Sequence, residues 1–245
     1  MKPSFPALPS SALAVLLALP CTVALANPPG DAVAVDPAVH RVLFENEHVR
    51  VFDARASHGA TSPMHSHPPF VFIGLDTARV RLTLPDGSQG FVDTYPGQAM
   101  WMGEPLQHSW ELLSGDLHVI AVEIKSAQQG TAPAAVERRA DDSVAVDPAV
   151  HRVLFENEHV RVLKARVSAG TKSPMHSHPP SVLVVVDGGR NRVQMPDGST
   201  QLVDLEPGQA IWMAEGARHQ WEMLAGSPHG IIVEPKSAHP RGDAD

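Results

Sequence analysis

The sequence predicts an all-β protein made of two tandem copies of one domain, and three observations lead there. Val33–Ser126 aligns without a gap to Val144–Ser237, with 59 of the 94 positions identical. Beyond a short apolar N-terminal run, no window sustains a 3.6-residue period. Within each copy, short apolar strands are separated by proline–glycine turns, the pattern of an antiparallel sandwich or barrel.

Taken in order, residues 1–26 read as a secretory leader. Lys2 is the only charge before the apolar run Ala12–Leu19, and Ala24-Leu-Ala26 presents small residues for cleavage before Asn27. That run is shorter than the ~20 residues a membrane span needs. Pro20 stands where a lipid-anchoring signal needs a small residue, so Cys21, the only cysteine, leaves with the leader. The mature chain then has no disulfide and relies on burial for stability. The net charge of −8 disfavours nucleic acid and anionic lipid as partners. A periplasmic or secreted protein is expected.

The first 19 residues of each copy, VAVDPAVHRVLFENEHVRV, are the same. In domain 1 (33–126), Val49–Arg55 alternates apolar and polar residues after a turn at Asn46-Glu47, and Val71–Leu75 is a β-branched run of core-strand length. Val160–Arg166 and Val182–Val186 repeat these in domain 2 (144–237). Pro85-Asp-Gly87 and Pro196-Asp-Gly198 predict turns: Pro fixes φ, Asp bonds its own backbone and Gly accepts positive φ. Pro96-Gly97 and Pro207-Gly208 repeat the logic. Residues 127–143 read as a linker or short helix, and 238–245 as a disordered tail.

The chemistry lies in a repeated motif. Ser62-Pro-Met-His-Ser-His-Pro-Pro69 recurs as Ser173–Pro180, and His108 and His219 follow at matching distances. Histidines at i and i+2 on a strand share a face, with Cα atoms ~6.6–6.8 Å apart. A third imidazole from a distant strand completes a metal pocket, so His65, His67 and His108, and His176, His178 and His219, are the expected ligands. Three imidazoles suit Fe, Zn, Cu, Ni or Mn and leave open positions for a ligand.

Gly59-x5-His65-x-His67 and Gly170-x5-His176-x-His178 resemble the first motif of the cupins. Gly208-x5-Ala214-x-Gly216-x2-His219 is similar to their second motif with Ala in place of Pro, and Gly97 to His108 is similar more loosely, with Gly103 and Pro105 at those places. The closing Asn of that motif is Leu112 in one copy and Met223 in the other. The resemblance implies two tandem jelly-roll barrels with a metal inside each. It also exposes a departure. The family's glutamate, three or four residues after the second histidine, is replaced by Val71 and Phe72, and by Val182 and Leu183. What remains is similar to the three-histidine cupins that oxidise thiols or cleave diketones with iron and dioxygen.

Several other residues are candidates for shaping the pocket. Trp110 and Trp221 follow the third histidine by two and share its face. Arg79 with Arg81, and Arg190 with Arg192, would clamp a carboxylate if their face is inward; a solvated face is the alternative. Glu111 and Glu222 alternate away from the metal. Met100, Met102, Met213, Trp101 and Trp212 read as core. His40 and His48 read as surface or packing residues, Glu123 and Glu234 as surface residues at a strand end, and His118 and His229 as plain strand histidines. The expected function is an exported Fe(II)-dependent dioxygenase for a small organic molecule. The rivals are a non-catalytic module binding a metal or small anion, and a zinc hydrolase, which lacks an obvious base. The two domains are expected to pack face to face as a monomeric pseudo-dimer, with a homodimer as the alternative.

Overall fold

The structure, a computed structural model, describes residues 30–128, 139–214 and 218–236. The expected leader, residues 129–138 of the linker, Gly216 and the tail lie outside these. Three single-turn helices accompany sixteen strands among the described residues, so the chain is all-β as its periodicity predicts. No helix among them is long and apolar enough to cross a membrane.

The first copy folds as two antiparallel sheets, and the second as one continuous seven-stranded antiparallel sheet. The first contains β1 (His40–Glu45), β2 (Val49–Ala56), β3 (Thr61–His67), β4 (Phe70–Gly74), β5 (Ala78–Thr83), β6 (Gln89–Thr94), β7 (Ala99–Met102), β8 (Leu106–Gly115) and β9 (Leu117–Ile124). One sheet runs β1-β2-β9-β4-β7 and the other β3-β8-β5-β6. The second copy contains β10 (His151–Glu156), β11 (Val160–Arg166), β12 (Lys172–Ser177), β13 (Ser181–Gln194), β14 (Thr200–Leu205), β15 (Ala210–Met213) and β16 (Arg218–Pro235). Here β13 and β16 are continuous where the first copy breaks into β4–β5 and β8–β9. They cross from one wall to the other through irregular pairing around Asp187, Gly189 and Gly226. Gly189 and Gly226 are needed there, because a Cβ on either would lie 2.7 Å from a backbone oxygen.

The alternation along Val49–Arg55 is present, but of its polar members only Arg55 faces solvent, and Arg50 and Asp53 are buried. Val49 and Val51 point away from their barrel while Arg50, Phe52 and Ala54 point into it, and all are buried. The outward set joins Val71, Ile73, Ile120, Val122 and Ile124 against Val160, Val162, Val182, Val184, Ile231 and Val233 of the other copy, forming one apolar layer. The face-to-face expectation therefore corresponds to a real packing surface. Each such buried aliphatic side chain contributes about 1.5–3 kcal/mol, so the layer outweighs any single polar contact across it. Its rim is closed twice by the same device, since His48 stacks on Trp212 at 5.4 Å and Trp101 lies 5.8 Å from His159. Gly97 and Gly208, both at positive φ, let their turns approach His229 and His118 of the opposite copy.

Candidate metal centres

The histidine strand is aimed by a bulge. Pro63, with no N–H to give the ladder, falls where the β3–β8 register shifts between Ser62 and His65. The extra residue puts Ser62 and His65 on one face although they are three apart, and alternation adds His67. All three are buried while Met64 is exposed. Across the ladder, His65 pairs with His108 and Ser62 with Trp110. The second copy repeats the bulge between Ser173 and His176, and His176 pairs with His219.

The predicted trios converge. Ring centroids of His65, His67 and His108 lie 4.9, 4.6 and 5.4 Å apart, and those of His176, His178 and His219 lie 5.1, 4.7 and 5.8 Å apart. A fourth imidazole joins each, which corrects the surface or packing reading of His40 and its copy. His40 lies 4.9 Å from His65 and 5.8 Å from His67, and His151 lies 4.8 and 5.3 Å from His176 and His178. One ring nitrogen from each of His40, His65 and His67 lies within 4.8 Å of the others, and the same holds for His151, His176 and His178.

The tautomers are fixed from behind. His65 Nδ1 is 2.7 Å from Pro63 O and His40 Nδ1 is 3.2 Å from Asp36 O. A carbonyl only accepts, so both Nδ1 atoms carry the proton and each Nε2 keeps its lone pair. His65 Nε2 and His176 Nε2 are buried without a hydrogen-bond partner, as suits nitrogens reserved for a cation. Burial and the neighbouring rings hold His67, His108, His151, His178 and His219 down to about 3, so these rings are neutral and ready to ligate. The donor set fits a divalent transition metal.

Behind the imidazoles lies a buried charge relay that the sequence reading missed. Arg50 donates to Glu123 (2.5 and 2.9 Å) and to Asp31, and Arg161 donates to Glu234 and to Asp142 (3.2 and 2.6 Å). Glu123 and Glu234 are 1% and 2% exposed, so the surface reading of both is corrected. Glu234 Oε1 accepts from His178 Nδ1 at 3.3 Å, while Glu123 Oε1 lies 3.9 Å from His67 Nδ1. Burial pushes both carboxyls up, Glu234 to about 7. One guanidinium faces two carboxylates, and a cation among the histidines would balance the surplus. Arg161→Met should destabilise the fold by about 3–5 kcal/mol in denaturant unfolding, because it strands two buried acids.

Other candidates fall in different places. Trp110 is buried and, with His40, His67, His108, Phe70 and Phe72, lines a cavity of about 100 Å³ in the first barrel. Met100 and Met102 line it too, and Met102 also packs against the core cluster of that barrel, in keeping with its core reading. Trp221 is half-buried beside Ser173 and Val193. The arginine clamp is not assembled. Arg79 pairs with Asp93, Arg81 with Glu111, Arg190 with Asp204 and Arg192 with Glu222, all on the outer face away from the histidines. His118 meets Asp53 at 3.1 Å at the contact between barrels, not at the cluster.

Comparison with solved structures finds the same architecture across both copies. An oxalate decarboxylase is 13% identical, covering 79% of this chain and 70% of its own, with a TM-score of 0.52. A salicylate 1,2-dioxygenase variant from Pseudoaminobacter salicylatoxidans is 13% identical over 76% of this chain and 70% of its own, with a TM-score of 0.52. Procruciferin, an 11S globulin from Brassica napus, is 11% identical over 78% and 77%, with a TM-score of 0.54. This is the cupin fold, in tandem. No family model and no curated protein matches the sequence. In each barrel the positions three and four residues after the second histidine are apolar, and in the first they split: Val71 faces the layer between barrels while Phe72 lines the cavity.

Proposed function

We propose that the chain is an exported metal-binding bicupin with two histidine centres, and that it acts as an Fe(II)-dependent dioxygenase on a small organic substrate. The observation that carries this reading is the cluster of buried imidazoles with His65 Nε2 and His176 Nε2 unpartnered at its heart. His65, His67 and His108 would hold the ion in the first barrel, and His176, His178 and His219 in the second. His40 and His151 stand where a fourth donor is needed once the glutamate is gone. Iron held there would supply one-electron chemistry with dioxygen and a Lewis-acidic anchor for substrate.

The protein supplies the rest. Pro63 O and Asp36 O keep the ligating tautomers, and Glu234 does so at His178. Phe70, Phe72 and Trp110 exclude water from the first chamber and favour a substrate of low polarity. A non-catalytic binding module is the rival, favoured by one observation: the buried carboxylates, Glu123 and Glu234, are engaged by Arg50 and Arg161 behind the rings. The test is oxygen uptake by the Fe(II)-loaded protein with thiols, diketones and phenolic acids. Turnover abolished by paired His67→Ala and His178→Ala substitutions supports the oxygenase. Tight metal uptake without product across the panel supports the binding module instead.

A further inference from the structure

The gap-free repeat places Ser181 at the position of Phe70 and Asn191 at that of Val80. The pairings agree: Phe70 faces Met102 as Ser181 faces Met213, and Val80 faces Leu112 as Asn191 faces Met223. In the first barrel both positions line the chamber, and Phe70 lies 5.0 Å from the His67 ring. Besides imidazoles, Thr94 and the Trp110 indole carry the polar groups among those lining residues, and the Thr94 hydroxyl already donates to Asp76 O at 2.8 Å. Among its lining side chains no oxygen is buried without a hydrogen-bond partner.

The second barrel differs at these two positions. Ser181 is 0% exposed, and its Oγ is buried with no hydrogen-bond partner; Asn191 Oδ1 is likewise buried and unpartnered. Leaving such a group unpaired costs about 1–3 kcal/mol, so an interior that keeps two of them has a use for them. We propose that the two centres serve different ligands: the first barrel takes an apolar molecule, and the second takes one whose hydroxyl or amine donates to Asn191 Oδ1 and bonds Ser181 Oγ. The inference rests on the reading of each barrel interior as the chamber of a metal centre, and concerns which ligand each chamber accepts.

Toluene and benzyl alcohol, alike in skeleton and differing by one hydroxyl, separate the two chambers. Both are titrated calorimetrically into the zinc-loaded, redox-silent full chain, and into Asn191→Val and Ser181→Phe/Asn191→Val, which carry the first barrel's own residues. Benzyl alcohol should lose about tenfold or more in affinity in the variants, the equivalent of one lost hydrogen bond, while toluene binding at the first barrel is unchanged. Phe70→Ser should weaken toluene instead. Equal benzyl alcohol affinity in wild type and Asn191→Val would mean that water alone satisfies these oxygens, and would overturn the proposal. Zinc content is measured in parallel; fewer than two equivalents in the wild type would count against the metal reading, whereas two equivalents with no ligand discrimination would count against this inference alone.

Discussion

Replacing His65 by alanine should drop the metal content of the protein from two equivalents to one, and adding His176→Ala should take it to zero. Each of these rings presents a buried Nε2 at the centre of its cluster, with its Nδ1 proton fixed on a proline carbonyl. Losing an outer partner of a ligand already costs about 10–100-fold in affinity, so loss of the ligand itself should exceed that. Elemental analysis after dialysis against a weak chelator reads the result. His40→Ala and His151→Ala sharpen it. If four imidazoles ligate, these variants should lose affinity nearly as severely as the others. Unchanged affinity would return both residues to a packing role.

The metal-free protein should unfold in mild acid. Five buried histidines are held down to about 3, whereas the unfolded chain protonates them near 6.5. The unfolded state therefore binds more protons, and stability present above pH 6.5 is lost as pH falls toward 3. At pH 5 the difference is about 2 kcal/mol for each ring, or about 10 kcal/mol for the set. Glu234 acts in the opposite sense, because its raised carboxyl takes up a proton in the folded state first, and it returns about 2 kcal/mol. The balance falls within the whole stability of an ordinary domain, about 5–15 kcal/mol. Circular dichroism should show an acid transition near pH 5 that added zinc moves lower. A native signal persisting to pH 4 without metal would mean that the rings do not share a dry interior.

The sequence made the strand character and the histidine trios legible because both are written locally. Turn chemistry marks the strand ends, and the i, i+2 rule places His65 beside His67. It also put Trp110 on the face of His108. His40 was hidden because its strand is otherwise solvated; beyond that first residue β1 is exposed or half-buried, so nothing in its pattern signals an inward ring. Glu123 misled for a related reason. A carboxylate at a strand end ordinarily meets water, and its burial depends on Arg50, 73 residues away in sequence. The arginines of β5 were correctly placed on one face, but which face meets solvent is decided by the opposite sheet. In the second barrel, the fusion of two strands into β13 and into β16 depends on a bend that no local period announces.

The slab of valine and isoleucine between the barrels has a last consequence, for how this gene can be cut. Either half expressed by itself would turn a broad greasy wall toward water. Such a fragment should pair with a second copy of itself or precipitate, so shuffling one barrel into another context would succeed only if its complementary wall travels with it.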